Sequence, residues 1–393
     1  MPPLKLLLLL AVCHVVVDTI ALTVQPLWPD LRSDLALGDV QFQTAFVLWN
    51  LSTSVLQLPI GYWAERRQAR WLIWAGPAAG AACICGAAMA DSFAALCLLL
   101  AAGGVGIAAF HPEAAALAAS CAPENRSRAL SIFAIGGYVG QALGPFYAGT
   151  LTAAYGRPSL VWTLAWGWAA LAAVAWGLRR APAPVAPRDR VKAPLGRLLH
   201  GKKRSLALLV ALGVFRATPV LGVPLGLAFA IKEAGGTNAD VGLAQSLFMA
   251  AIGGGSVACA AFVRRHNERR AFWALPLLAA GLLAICPLAP AMLSSVCAAA
   301  AGLALGVTLP LVVSRGQELL PDGQRIASGL TMGLTWGLAS PVAIGTIDLF
   351  ERLGQPAASF YAFAGVSIAS SAICFALPRR AAEPIALQNA ASA

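Results

Sequence analysis

The stretch from Ser131 to Thr150 reads SIFAIGGYVGQALGPFYAGT and holds no charged residue. A helix needs about 20 such residues to cross the hydrocarbon core of a bilayer. Gly136, Gly140 and Gly144 recur at every fourth position and therefore share one helical face, where another helix can approach closely. This pattern predicts a transmembrane helix with one face of small residues, followed directly by Pro145.

The composition of the whole chain extends this interpretation. Hydrophobic residues make up 59% and charged residues only 11%, whereas soluble domains carry about 25% charged residues. Apolar length and Pro, Gly or charged breakers separate twelve segments. They span approximately residues 5–29, 39–64, 71–90, 94–117, 127–152, 158–178, 205–231, 240–263, 271–290, 292–314, 325–349 and 357–377. We therefore predict an all-α polytopic membrane protein with twelve transmembrane helices.

The basic residues are distributed unevenly between the predicted loops. Of the 28 lysines and arginines, 23 lie on one side, Arg32, Arg157, Lys232 and Arg352 lie on the other, and Arg216 lies within helix seven. Because basic loops stay in the cytoplasm, we predict a multi-pass protein of a bacterial inner membrane with both termini cytoplasmic. The net charge of +11 then reflects orientation, and no nucleic-acid partner is expected.

A Pro- and Arg-rich segment divides the chain. We predict an N-terminal six-helix bundle (1–178), a basic cytoplasmic linker (179–204), a C-terminal six-helix bundle (205–377) and a cytoplasmic tail (378–393). The two bundles carry similar motifs at the start of helices five and eleven, namely Pro123-Glu124 with the glycine ladder above, and Pro321-Asp322 with Gly329, Gly333 and Gly337. Internal repeats are typical of secondary transporters, so we predict two pseudo-symmetric bundles and a transport function.

Ionisable residues inside the apolar segments are few, and in a bilayer such residues are costly and usually functional. Helix one holds His14 and Asp18, helix four holds His111 and Glu113, and helix seven holds Arg216. Their charges are complementary, and buried charges persist when they are paired or solvated. We therefore predict a shared watery cavity between the bundles.

A carboxylate in such a cavity can bind a proton near neutral pH. We predict that Asp18, Glu113, His111 and His14 couple transport to protons, and that Arg216, Asp18, His111 and Glu113 bind a substrate, with Arg216 favouring an anion. The structural alternatives are a fixed Asp18–Arg216 bridge, a packing role for His14, and a Glu113 that faces cytoplasmic water.

The loop between helices two and three reads Gly61-Tyr-Trp-Ala-Glu65-Arg66-Arg67-Gln-Ala-Arg70. Its alternating acids and bases suit a latch between neighbouring helix ends on the cytoplasmic side. In helix five, Gly144-Pro145 is expected to let a helix of the other half approach and to hinder a proton leak.

These patterns resemble the major facilitator superfamily. Gly61 to Arg70 resembles its loop motif between helices two and three, although Glu65 replaces the usual Asp and Gln68 replaces the usual second Gly. Gly136 to Gly149 resembles the Gly-Pro motif of the antiporter branch, which implies export.

A narrower resemblance is to the fosmidomycin-resistance family of drug exporters. It is carried by Cys13-His14-x-x-x-Asp18, Phe110-His111-Pro112-Glu113, Ser131-Ile132-Phe133, Leu143-Gly144-Pro145 and Gln317-Glu318-Leu319-Leu320-Pro321. The family implies proton-driven efflux of a small, often anionic antibiotic by a monomer without a cofactor other than the proton. It also implies a coupling and binding set of Asp18, His111, Glu113 and Arg216, with Glu318 as a cytoplasmic gate residue.

Three other functions compete with export. A proton-coupled uptake symporter of an organic anion would share the fold. An intramembrane metal-dependent enzyme could use the same histidines and carboxylates, but HExxH, GxSxG and P-loop motifs are missing from the sequence, and we expect no metal. A sensor that does not transport would need a relay domain, which the sequence does not suggest.

Overall fold

The computed structural model describes residues 1–67, 69–180, 200–264, 266–321 and 324–377, and within these ranges the chain is almost entirely helical. Helices suit apolar runs in a membrane because a helix satisfies its own backbone N–H and C=O groups. We number twelve membrane segments along the chain. Ten of the described helices are long and apolar enough to cross a membrane, which confirms a multi-pass protein.

The N-terminal half comprises α1 (Pro3–Asp34), α2 (Asp39–Ser54, continued by Gln57–Arg67), α3 (Leu72–Ala88), α4 (Phe93–Ser120), α5 (Arg126–Tyr155) and α6 (Trp162–Leu178). The C-terminal half comprises α7 (Lys203–Glu233), α8 (Asn238–Phe262), α9 (Glu268–Ile285), α10 (Ala291–Leu319), α11 (Gln324–Ser328, Gly329–Leu334 and Thr335–Arg352) and α12 (Ser359–Ala376). The predicted fold class of twelve helices in two six-helix bundles is confirmed. Most of the predicted linker (181–199) and the predicted tail (378–393) lie outside the described residues.

Each half is held together by its own helix pairs, and two further pairs join the halves. In the N-terminal half α1 packs on α5, and α4 packs on α2 and α3. In the C-terminal half α8 packs on α10, α9 on α12, and α7 on α11 and α12. The halves meet where α5 packs on α8 and where α2 packs on α11. These two contacts are related by the pseudo-symmetry that the repeat predicts.

The two glycine ladders do not occupy equivalent faces, which corrects one part of the repeat argument. Gly136, Gly140 and Gly144 of α5 face the backbone of α1 in their own half, whereas the α11 ladder, which begins at Gly329, faces α2 of the other half. The Pro-acid motifs are 198 residues apart, but the ladders are 193 apart. Five residues turn a helix by about 140°, so the ladders point to different neighbours.

Two segments depart from regular α-helix. In α1, residues Leu22–Leu27 form a 3₁₀ turn that contains Pro26, and a proline in this position removes a backbone donor. In α11, residues Gly329–Leu334 form a π-helical turn. Such turns often occur at functional positions, and this one lies where α11 meets α2.

Candidate functional site

Asp18 lies midway along α1, and its side chain is only 4% exposed. The imidazoles of His111 and His14 face its two carboxylate oxygens: Nε2 of His111 lies 3.2 Å from Oδ1, and Nε2 of His14 lies 3.4 Å from Oδ2. Gln141 of α5 donates a hydrogen bond from Nε2 to Oδ2 at 2.9 Å. We call these four residues the Asp18 cluster. They bring together α1, α4 and α5.

The remaining nitrogen of each imidazole fixes where its hydrogen lies. Nδ1 of His14 is 2.9 Å from the carbonyl oxygen of Phe133, and Nδ1 of His111 is 3.1 Å from that of Ile107. A carbonyl oxygen only accepts, so each Nδ1 must donate. The Nε2 atom of a neutral ring is then a bare acceptor, which repels an ionised carboxylate. The contacts with Asp18 are favourable only when a proton lies on an Nε2 atom or on the carboxylate, so the cluster is suited to hold an exchangeable proton.

The glycines of α5 provide the space for this cluster. A Cβ atom at Gly137 would lie 2.6 Å from Nε2 of His14, and one at Gly140 would lie 2.9 Å from Cβ of Asp18. Phe133, one turn earlier, stacks on the His14 ring with 4.2 Å between centroids. The glycine ladder therefore allows α1 and α5 to touch at backbone distance and leaves room for two ionisable side chains.

Glu113 follows His111 by two residues, and such residues point about 200° apart on a helix. The charge of Glu113 acts on Arg70, in the turn between α2 and α3. Burial lowers the pKa of Arg70, and the negative charge of Glu113 acts in the opposite direction. The structure thus places Glu113 with the predicted latch rather than among the contacts of Asp18.

The loop motif packs against the same region of α4. A Cβ atom at Gly61 would lie 3.0 Å from Cβ of Pro112, so the end of α2 rests on the proline next to Glu113. The side chains of Glu65 and Arg66 lie outside the described part of the chain. The latch stays a prediction for those two residues.

Arg216 is completely buried inside the C-terminal half. Its Nη2 donates to the carbonyl of Phe272 at 2.5 Å and to Sγ of Cys374 at 3.2 Å, and its Nη1 donates to the carbonyl of Thr308 at 3.5 Å. The guanidinium also lies 4.6 Å from the centroid of the Phe272 ring. None of these contacts, which all lie in described residues, reaches the Asp18 cluster. The expected shared cavity with Asp18 is therefore wrong for this conformation, and so is a direct bridge between the two residues.

Glu318 lies at the end of α10 that the sequence assigns to the cytoplasm. Its carboxylate is 3.0 Å from Nη1 of Arg315, whose Nε lies 4.0 Å from the carboxylate of Glu268 at the start of α9. The predicted gate residue thus belongs to a charged cluster at the end of α10 and the start of α9. Its gating role stays a prediction.

The Gly-Pro motif of α5 contacts both halves. Gly140 and Gly144 pack against α1, so within the Gly144-Pro145 motif the approach to the other half that we expected is made by Pro145 and not by Gly144. Contacts with α8 of the other half are made by Tyr138, which packs against Gly253, by the carbonyl of Pro145, which faces Gly242, and by Gly149. Close backbone contact requires glycine on both helices at this point.

Ion pairs that the sequence analysis missed join the two halves at the ends opposite the basic loops. We call them the outer lock; its members are Asp30, Arg32, Asp39, Lys232, Glu351 and Arg352. Nζ of Lys232 lies 2.9 Å from Asp30, Nη2 of Arg352 lies 3.0 Å from Asp39, and Arg32 pairs with Glu351. All three pairs connect the N-terminal half to the C-terminal half.

Aromatic rings and an amide side chain add further contacts to the outer lock. The guanidinium of Arg32 lies 5.0 Å from the ring centroid of Phe42 and 5.7 Å from that of Phe229. Asn238 donates to Asp30 at 2.7 Å. The signal for the lock was present in the sequence, because acids cluster at the end of α1 and bases lie at the matching ends of α7 and α11, but pairing across halves needs the fold.

The donors of His14, Asp18 and His111 lie within 4.8 Å of one another. Two ligands of a tetrahedral zinc ion stand only about 3.4 Å apart, given metal–ligand distances near 2.1 Å. The spread across all three donors is wider than that, whereas a proton needs only one donor–acceptor pair. The geometry therefore fits proton binding better than metal binding.

Comparison with known proteins agrees with the fold. The fosmidomycin resistance protein of Escherichia coli (strain K12) is 25% identical over 337 residues, which cover 84% of this chain and 82% of that protein. The uncharacterized MFS-type transporter YfnC of Bacillus subtilis (strain 168) is 27% identical over 364 residues, which cover 89% and 87%. A bacterial homolog to the human lysosomal transporter Spinster, in an inward-facing and occupied conformation, has a TM-score of 0.72 at 14% identity and covers 95% of this chain and 96% of that one.

The structural likeness, at that identity, concerns the fold alone. The sequence match establishes the family as well, because the family model of the Major Facilitator Superfamily matches residues 7–344. The chain belongs to the major facilitator superfamily, which is a family of membrane transporters and not of enzymes.

Proposed function

We propose that the protein is a proton-coupled antiporter that exports a small organic compound by alternating access. It acts as a monomer in the bacterial inner membrane, with both termini in the cytoplasm. The observation that carries the proposal is the buried carboxylate of Asp18, which contacts Nε2 of His14 and Nε2 of His111, contacts that a proton on one of these groups makes favourable.

The two members of the proton path differ in their exposure. The side chain of His111 is 23% exposed, whereas that of Asp18 is 4% exposed. His111 therefore exchanges protons with water and passes them to Asp18 through Nε2. A buried negative charge on Asp18 is costly unless a partner balances it. Gain or loss of the proton therefore changes which contacts of α1 are favourable.

Alternating access is supported by the outer lock. Ion pairs across the halves hold the outer ends together, so substrate in this conformation approaches from the cytoplasmic side. The pairs must break for the outer ends to separate, and their formation returns the protein to the state described here. This is the order that an exporter requires, since it loads from the cytoplasm.

The class of substrate is proposed from the relatives. One of them is named for resistance to fosmidomycin, and we infer a small organic anion for this chain as well. The geometry of Arg216, which is bonded to carbonyls in its own half, gives no direct support to an anion clamp at that residue. Resistance of an efflux-deficient host that expresses the protein, measured against phosphonates and other small organic anions, tests the substrate class.

Transport into everted membrane vesicles tests coupling and direction together. An acidic lumen should drive accumulation of the substrate in the lumen, and Asp18→Asn should abolish this accumulation while substrate counterflow, which needs no net proton movement, persists. Asp91→Asn makes the same change in an exposed loop and should leave both activities intact. Gradient-driven accumulation in Asp18→Asn would refute the role of Asp18. Uptake into right-side-out cells under the same gradient would instead establish the rival symporter.

A further inference from the structure

We propose that Gln141 is a positioning residue for Asp18 and that it sets the pH at which transport is half-maximal. The proposal rests on the proton-coupled function above and adds a residue that neither the motifs nor the comparisons assign. Its starting point is the 2.9 Å hydrogen bond from Nε2 of Gln141 to Oδ2 of Asp18.

The chemistry of this contact differs from that of the imidazoles. An amide nitrogen donates but does not gain or lose a proton at ordinary pH. The bond to Oδ2 therefore acts in one direction only, because a donor stabilises the ionised carboxylate relative to the protonated one. Gln141 biases the proton equilibrium of Asp18 without taking part in proton transfer.

The position of Gln141 follows from the packing of α5 on α1. Gly137 and Gly140 bring the two backbones together; a Cβ atom at Gly140 would lie 2.5 Å from the carbonyl oxygen of Val15. Gln141 follows immediately and contacts a different carboxylate oxygen from His111, so that Oδ1 is held from α4 and Oδ2 from α5. Removal of the amide breaks the hydrogen bond that connects Oδ2 of Asp18 on α1 to α5.

The surroundings of Asp18 allow the effect of Gln141 on the proton equilibrium to be distinguished from the loss of a titrating group. The titratable groups that interact with Asp18 are His14 and Cys13 on its own helix and His111 on α4. The contribution of α5 is Gln141, which does not titrate. A pH shift in a Gln141 variant therefore reports on the proton equilibrium of the existing groups and not on the loss of a titrating group.

Gln141→Met tests the proposal, because methionine keeps the length of the side chain but has no donor. Without the donor Asp18 holds its proton more tightly and releases it only at higher pH. We expect the pH midpoint of gradient-driven transport in everted vesicles to rise by about one unit, which is a tenfold change in proton affinity, while counterflow at saturating substrate stays near the wild-type rate. Gln141→Ala should shift the midpoint in the same direction if the methionine variant does not fold.

Gln57→Met is the matched control. The Gln57 amide also lies in a membrane segment, but it donates to the carbonyl of Thr53 in its own helix, so no shift is expected. An unshifted midpoint in folded, active Gln141 variants, or an equal shift in Gln57→Met, would overturn the proposal. Failure of the Gln141 proposal can be distinguished from failure of the proposed function. If the proposed function were wrong, Asp18→Asn itself would retain gradient-driven transport.

Discussion

Weakening the outer lock should expose the outer interface between the halves. Arg32→Gln removes the pairs with Glu351 and Asp39 and the stacking on Phe42 and Phe229. The result should be a larger population with its outer ends apart, because the contacts with Glu351 and Phe229 exist only while the two halves are together.

The size of the effect can be worked out from the exposure of the partners. The Arg32 and Glu351 side chains are 21% and 20% exposed, which places this pair between an exposed pair, worth about 0–1 kcal/mol, and a buried one, whose disruption costs about 3–5 kcal/mol. We take about 2 kcal/mol for the loss of Arg32, a change of about thirtyfold in the ratio of closed to open outer ends.

A cysteine reporter measures that ratio. Gln25 is suitable because its carbonyl accepts a hydrogen bond from Gln245 of the other half at 3.4 Å. In a background without the native cysteines, Gln25→Cys should react slowly with a membrane-impermeant maleimide added from outside, and Arg32→Gln should accelerate the reaction by roughly the factor above.

Two further variants decide whether the lock is responsible. Arg157→Gln is the matched control, because Arg157 pairs with Asp34 at 2.9 Å inside the N-terminal half; it should leave labelling unchanged. Lys232→Asp should increase labelling, and Asp30→Lys in the same chain should restore protection by re-forming the pair with reversed charges. Equal labelling of wild type and Arg32→Gln, or equal acceleration by Arg157→Gln, would refute the reasoning.

Three more outcomes follow from the site and its surroundings. Gly140→Ala should lower stability by about 1–3 kcal/mol through overpacking against α1, seen as a lower melting temperature in detergent, whereas Gly345→Ala, where a Cβ atom meets nothing within 4 Å, should be neutral. Arg216→Ala should reduce thermal stability by about 3 kcal/mol, because buried carbonyls lose their donor; transport of anionic and neutral substrates should fall equally, and a selective loss for anions would restore the clamp role. Glu113→Gln should keep gradient-driven transport with a pH midpoint near wild type, because the charge of Glu113 acts on Arg70; complete loss would assign it a proton.

The sequence was sufficient to predict the helices but not their facing neighbours. Helix seven, expected at 205–231, is found at Lys203–Glu233, because apolar length and charged ends mark where a chain crosses a membrane. The rotation of each helix about its own axis, which decides which face meets which neighbour, is set by packing between small residues. A hydrophobic pattern cannot predict this rotation in helices that are apolar on all sides. Asp18 and His14 were recognised as ionisable residues at depth, while the contribution of Gln141 was missed because an uncharged amide carries no such signal.

Arg216 was misplaced for a related reason. Its charge predicted a counter-charge, but the guanidinium donates to carbonyl oxygens and lies against the face of Phe272 inside a single half. Backbone acceptors leave no trace in a sequence, so the partner of a buried arginine cannot be inferred from charge complementarity alone.

The proton site and the interface between the halves are connected by two helices: α1, which carries both Asp18 and the outer-lock residues Asp30 and Arg32, and α5. Asp18 is held entirely within the N-terminal half, so a proton there changes the relation of the halves only if the change reaches a helix that contacts the other half. On one face α5 holds Asp18 through Gln141, and one turn later the carbonyl of Pro145 lies against Gly242 of α8. A coupling route needs an element whose arrangement both sites bias, and α5 meets that condition.

This role of α5 can be tested from the side of α8. A Cβ atom at Gly242 would collide with the carbonyl of Pro145, whereas one at Gly254, on the same helix, would meet only the side chain of Leu303 at 3.4 Å. Gly242→Ala should therefore separate α5 from α8, accelerate labelling at Gln25→Cys and weaken gradient-driven transport, with Gly254→Ala close to wild type in both measurements. The Asp18 cluster itself lies in the other half, so the pH midpoint of the remaining transport should not move. A shifted midpoint without a change in labelling would mean that the proton acts on the halves by a path that does not pass through this contact.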